Sequence, residues 1–230
     1  MNFTQHALVV FLALSFSAAA QSATPAWTPK AGSQLSFSLR SNGKPVGTLV
    51  FDFTQSGDRI VERRVEHLEL TRMMVKAVLD QTSESTWHGQ TLDSYKSSTV
   101  LKSSLKDSSA SLKVTKQANG KFLATDQDSA TLELPAEAWP LTLWSKDFIS
   151  HPQLFDLTRG HPITLTGISK GPEAMTVDGV SQNCERIETK VMQDGKSANA
   201  VVWFDTAGKL CSMQLSSAMG TVDYVRISSK

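Results

Sequence analysis

Two cysteines, four histidines beyond position 20 and a group of tryptophans are the side chains whose types and spacing bear on chemistry in this 230-residue chain. Cys184 and Cys211 suggest a disulfide if the chain is exported. Asp194-Gly195 and Ala207-Gly208 each mark a turn, which places the strand carrying Trp203 between the two cysteines. Flanking a middle strand, they would stand about 9–10 Å apart, whereas a disulfide needs Cα atoms within about 7 Å. A bridge then requires a strand that starts late or a loop that bends back, and the residues leave both states open. His151, Asp156 and His161 follow one another at five-residue steps. That spacing matches no metal-ligand pattern, so they read as loop residues beside prolines and no metal is assigned. His67 and Glu69 share one face of a strand, and His88 sits beside a turn glycine. The chain carries no Gly-x-Ser-x-Gly elbow, no cysteine beside a base and no glycine-rich phosphate loop. The carboxylate pairs Asp126/Asp128 and Glu133/Glu137 lie on a turn and a polar strand end and read as solvated. No catalytic residue and no cofactor is assigned, and a hydrolase is the least expected of the functional classes.

The aromatic residues carry more. Residues 135–162 hold Pro135, Pro140, Pro152 and Pro162, with Trp139, Trp144, Phe148 and Phe155 between them. Pro152 prevents one continuous helix, leaving short helical turns at 145–149 and 153–157. A segment both proline-punctuated and aromatic reads as a cap packed over a sheet. Two arrangements are open. In one, Trp139, Trp144, Phe148 and Phe155 line an apolar cavity between cap and sheet, with Asp156 and Arg159 at its rim. This makes the protein a non-catalytic binding module for a lipid or another apolar or amphipathic ligand. In the other, these aromatics plug the sheet and Trp87 and Trp203 are core. The protein is then a cell-envelope interaction module with a fully packed interior.

The elements that must position these residues are strands. Phe37 and Leu39, then Leu49, Phe51 and Phe53, alternate with polar neighbours. Asn42-Gly43 between them accepts the positive φ angles of a hairpin turn. Within 59–70 the apolar pattern changes face between Val61/Val65 and Leu68/Leu70, as a bulge would produce. Asn119-Gly120, Asp194-Gly195, Ala207-Gly208 and Met219-Gly220 supply further turns. About a dozen short strands at this spacing predict an all-β fold: a strongly curved antiparallel meander or incomplete β-barrel with a Pro/Trp-rich, partly helical cap at 135–162. Residues 34–230 read as one domain, and 21–33 as a disordered lead-in.

Charge and the N-terminal segment bound the setting. There are 23 basic and 22 acidic residues, a net charge of +1. This gives no electrostatic footprint for nucleic acid and no polybasic patch for anionic lipid. Residues 7–16 (ALVVFLALSF) form an apolar run too short to span a bilayer, followed by the small-x-small pair Ala18 and Ala20. Residues 1–20 thus read as a signal peptide cleaved near Ala20, which makes the mature protein periplasmic and not membrane-spanning.

The order of landmarks carries a resemblance: Phe37-Ser-Leu39 with Asn42-Gly43-Lys44-Pro45-Val46-Gly47; Glu84-Ser-Thr-Trp87-His88-Gly89 and Leu92; Trp144; Leu154-Phe-Asp156-Leu157-Thr-Arg-Gly160; Val202-Trp203-Phe204-Asp205 with Gly208-Lys209-Leu210; and Tyr224. In these the mature chain resembles the DUF6134 family of exported bacterial proteins, which has no assigned function. The resemblance implies a β-rich periplasmic domain and no catalytic residues to carry over. A more distant likeness, to the curved half-barrel of periplasmic lipoprotein carriers, is one of architecture alone.

Overall fold

Fifteen strands follow one another in space almost as they do in sequence. The computed structural model describes residues 27–72, 74–217 and 220–229; the expected signal peptide and its cleavage site lie outside them. The strands are β1 (Gln34–Ser41), β2 (Lys44–Ser56), β3 (Arg59–Arg72), β4 (Val75–His88), β5 (Thr91–Ser103), β6 (Ser108–Lys116), β7 (Phe122–Asp126), β8 (Thr131–Leu134), β9 (Trp139–Pro140), β10 (Leu154–Phe155), β11 (Pro162–Val177), β12 (Val180–Gln193), β13 (Lys196–Phe204), β14 (Leu210–Ser217) and β15 (Gly220–Ser229). A four-residue helix, α1 (Asp147–Ser150), is the one α-helix among the described residues. They form a single sheet in the order β8-β7-β6-β5-β4-β3-β2-β1-β15-β14-β13-β12-β11-β10-β9. All pairings are antiparallel except that of β10 with β9.

The sheet is strongly curved and does not close. Its two edges, β8 and β9, are consecutive in the chain, joined by residues 135–138. Five peptide steps span at most about 18 Å, and Ala138 N–H donates to the Pro135 carbonyl at 3.1 Å, tightening that link further. The edges are therefore tied together by chain rather than by a ladder. Strand β11 carries a register shift against β12 between Ser169 and Gly171, with Lys170 at the shift and Pro172 next to it, devices that discourage edge-to-edge pairing of a strand near the sheet edge.

The concave side holds the core. Leu35, Phe37 and Leu39 from β1 and Leu49, Phe51 and Phe53 from β2 are almost wholly buried there, with Leu112, Val114, Phe122, Val202, Phe204 and Leu210. The bulge expected in β3 is absent: β3 pairs with β2 and β4 without a register shift. Its inward face is charged in the first half (Glu62, Arg64, Glu66) and apolar in the second (Leu68, Leu70), while Val65 points outward. The change of face that the apolar residues suggest is a change of chemistry along one face.

The segment 135–162 lies over the seam. Its second expected helical turn is not formed; 154–155 is the short strand β10, held between β9 and β11. Ser145 bridges Lys209, Lys146 N–H donates to the Gly208 carbonyl at 2.8 Å, and Leu210 N–H donates to the Trp144 carbonyl at 3.2 Å. Residues 27–33, expected within a disordered lead-in, lie on the sheet instead. Gly32 N–H donates to the Phe53 carbonyl at 2.7 Å, and Trp27 packs edge-on against Phe53 and Trp144 at 5.6 and 5.7 Å. A large indole this close to an open cleft gains more from burial than the chain loses in freedom.

Cys184 and Cys211 form a disulfide with Cα atoms 6.7 Å apart, closer than two full strand spacings. The reason is local. The β12–β13 ladder stops at Glu185↔Phe204, so Cys184 lies just past the end of β13. Cys211 is the residue skipped where the β13–β14 register shifts between Trp203↔Ser212 and Phe204↔Leu210. The bridge passes over the end of the middle strand and packs with Val177, Met175 and Trp203 in a small satellite core.

Two outcomes follow from this packing. Replacing both cysteines with serine removes a cross-link of 27-residue separation and is expected to cost about 3–4 kcal/mol, read as a lower urea midpoint. At Gly160 φ is +74°, and a Cβ would meet the Ala124 Cβ at 2.9 Å. Gly160→Ala is therefore expected to cost about 1–3 kcal/mol; unchanged stability would show that the loop shifts freely off β6 and β7.

Candidate functional site

Three adjacent strands carry a polar wall inside this otherwise apolar fold. In register across β3, β4 and β5, Glu62 opposes Ser85 and then Tyr95; Arg64 opposes Ser83 and then Ser97; Glu66 opposes Gln81 and then Thr99. All nine side chains are buried. Each ion so placed costs several kcal/mol of desolvation unless it is paired, and the pairing here is dense. The Arg64 guanidinium donates to Glu66 and to Gln81, and Gln81 Nε2 donates to Thr99 Oγ1 at 2.8 Å. Tyr224, on the inward face of β15, donates from its hydroxyl to Glu66 Oε1 at 2.7 Å. Burial and the neighbouring carboxylate push that phenol up, so it stays a donor. Arg64 and Glu66 neutralise each other, and Glu62 is the carboxylate left over.

Glu62 is 1% exposed. Its Oε2 accepts from Ser85 Oγ at 2.6 Å, Trp144 Nε1 at 2.9 Å and Trp87 Nε1 at 3.3 Å. Trp87 Nε1 also donates to Ser85 Oγ at 2.8 Å. The other oxygen, Oε1, is buried without a hydrogen-bond partner. Burial pushes the Glu62 carboxyl up, against the three hydrogen bonds and the Arg64 charge, which favour the ionised form.

Around this carboxylate stand the rings. Trp87 meets Trp139 at 5.3 Å, Trp144 at 6.1 Å and Phe148 at 6.5 Å, each close to perpendicular. Trp144 meets Phe148 at 5.3 Å and Phe53 at 5.5 Å. Edge-to-face contact of this kind adds to area burial. A narrow cleft of about 30 Å³ remains, lined by Trp27, Ile60, Trp87, Trp139, Trp144 and Asp147, with 28–29 and 89–90 closing its sides. The four lining indoles come from three stretches of chain: the lead-in, β4 and the cap. Burial pushes the Asp147 carboxyl up, offset in part by His151 and Lys146.

The residues expected to form one ligand site divide into three groups. Trp139 and Trp144, each 8% exposed, line the cleft. Phe148 lies behind them, fully buried. Phe155 is elsewhere, against Tyr95 at 5.5 Å. Asp156 and Arg159 are not at the rim of this cleft. Asp156 organises its own loop: Oδ1 accepts from Thr158 N–H, Thr158 Oγ1 and Arg159 N–H at 2.7–2.9 Å. Its Oδ2 accepts from His161 N–H and Gln193 Nε2 at 2.8 Å. Burial works against these bonds, which nevertheless hold its carboxyl below the usual range. Arg159 is exposed. His151 stacks on Trp139 at 4.1 Å and His161 faces Asp194 at 3.2 Å, so the three residues at five-residue steps do not converge. Among the described residues no group of three or more His, Cys, Asp or Glu is placed to hold a metal, and no helix is long and apolar enough to cross a membrane.

Glu62, Arg64, Glu66 and Trp27 are what sequence reasoning missed. The signal for the first three is the alternation Glu-x-Arg-x-Glu opposite Leu49, Phe51 and Phe53 of the preceding strand, which puts the charges on the core face once the hairpin register is fixed.

The pH dependence of stability tests the environment of Glu62. Folded Glu62 keeps its proton to a higher pH than an unfolded glutamate, so its contribution is full below the unfolded value of about 4.3. That contribution is lost as pH rises through the folded value. Glu62→Gln cannot titrate, so its melting temperature relative to the native protein should rise as pH increases from about 4 through the folded value of Glu62 and then level off. A difference constant over that range would mean that the carboxylate is well solvated.

The fold and the chain have relatives. Comparison with curated protein sequences gives no match. Among solved structures, the fold is similar to a β-barrel-like protein of domain of unknown function DUF1849 from Brucella abortus, with TM-score 0.60, 12% identity and coverage of 86% of this chain and 96% of that one. A putative exported protein with YmcC-like fold from Bacteroides fragilis also aligns, with TM-score 0.36, 10% identity and coverage of 89% and 98%. The family model of DUF6134, a domain of unknown function, matches residues 37–227. That span takes in nearly all of the sheet, the cap and every ring of the aromatic cluster but Trp27, and the chain belongs to the DUF6134 family.

Proposed function

We propose that this protein is an exported, periplasmic, non-catalytic binding module that takes the end of an amphipathic ligand between cap and sheet. The observation that carries the reading is the cleft of four indoles set against a buried carboxylate with one oxygen unpartnered. Shape complementarity alone is best served by apolar side chains. A surplus buried carboxylate is costly, and perturbed groups of this kind cluster at functional sites. The cap is fastened by a few polar contacts rather than a long ladder. Trp144 donates to Glu62, and the hydroxyls of Tyr95 and Ser97 donate to the Leu157 carbonyl. Export is supported by the apolar run at 7–16 and the Ala18/Ala20 pair.

A second reading, an envelope interaction module with a packed interior, is favoured by the complete burial of Phe148 and Phe155. Native mass spectrometry of residues 21–230, purified from a bacterial periplasm without detergent, separates the two. The binding reading expects a mass excess that disappears on organic extraction. A bare polypeptide mass after purification overturns it in favour of the packed module.

A further inference from the structure

We propose that the tryptophan cleft is a receptor for a primary ammonium group, so that the amphipathic ligand is an alkyl amine; this rests on the binding reading above. Size decides the head group. The cleft offers about 30 Å³, and about 10–15 Å³ suffices for a group the size of water, so a small head group has room. An ammonium group fits that space.

Charge decides its sign. Asp147 lines the cleft, and no Lys, Arg or His does among the described residues. The indole faces are the negative part of each ring quadrupole, which attracts a cation. Two of these rings, Trp87 and Trp144, donate their N–H groups to Glu62. A carboxylate accepting from an indole N–H polarises the ring and makes its face more negative, so Glu62 acts on the cleft through the rings rather than by contact. The other oxygen, Oε1, has no hydrogen-bond partner. An anionic head would meet Asp147, whereas an ammonium meets a group of opposite charge there.

An ammonium of the protein itself already lies against one of these rings. Lys209 Nζ stands over the ring of Trp27, 5.9 Å from its centroid. Alkyl chain beyond the head has apolar surface to follow, since Ile60 and Trp139 line the cleft beside it.

The test titrates the purified protein at pH 7 with n-hexylammonium chloride and, separately, with 1-hexanol, reading tryptophan fluorescence and heat. The two probes share a chain and differ in the charge of a water-sized head. Saturable hexylammonium binding at least about tenfold tighter than 1-hexanol is expected, with Asp147→Asn weakening the amine several-fold and leaving the alcohol unchanged. Equal binding of the two probes overturns the ammonium assignment and leaves the binding reading standing. Failure of both to bind, with the protein folded by circular dichroism, overturns both. Hexylammonium binding unaltered by Asp147→Asn and by Glu62→Gln together places the cation elsewhere and overturns the assignment.

Discussion

One oxygen atom, Glu62 Oε2, fixes the relation between the sheet and everything laid across its seam. It accepts from Ser85 and Trp87 on the neighbouring strand and from Trp144 in the cap, so a single carboxylate sets where the cap enters and how two indoles are turned. The bond from Trp144 spans 82 residues. Hydrogen bonds to a charged acceptor are worth about 1.5–3 kcal/mol each, more than an isolated ring contact supplies. The rings then pack at right angles because their N–H vectors converge on one point. Around that convergence the chain adds the Ser145–Lys209 bridge and the edge-on packing of Trp27.

The polar wall also explains why the meander has one register. A one-residue slip of β3 against β2 would turn Glu62, Arg64 and Glu66 outward and bring Val61 and Val65 in. That exchange looks favourable by hydrophobicity alone. It is opposed because the partners of those charges, Ser85, Gln81 and Tyr224, are already on the concave face. Buried polar groups confer specificity in some folds and not in others. In this one they distinguish two registers that an apolar pattern leaves close in energy.

Much of the fold is legible in the sequence because turn chemistry is local. Asn42, Asp194 and Gly195 take the positive φ angles that their dipeptides announce, and each joins the two strands expected. The strands near the cap are less legible, since Leu154 and Phe155 read equally as a helical turn until β9 and β11 are seen on either side. The candidate site was half legible. Trp139 and Trp144 stand out by size and by their prolines. Glu62 does not, because a glutamate in an alternating strand is ordinarily solvated, and only the hairpin register with Phe53 turns it inward. Trp27 was hidden by its setting in a Pro- and Gly-rich stretch, where nothing local marks it for burial. Cys184 and Cys211 depended on the exact residue at which β13 stops, which the turn at 207–208 does not determine.

The sheet is consecutive in sequence everywhere except at its middle, where β1 lies between β2 and β15. Were β1 and β15 joined and the chain opened at 135–138, the order in space and the order in sequence would coincide from edge to edge. The native connectivity instead makes the central ladder the most distant in sequence. Closure of so long a loop is entropically slow. A chain made from its beginning therefore holds β1 as an exposed edge until β15 is available, and the halves on either side, β1–β8 and β9–β15, are natural units of early assembly.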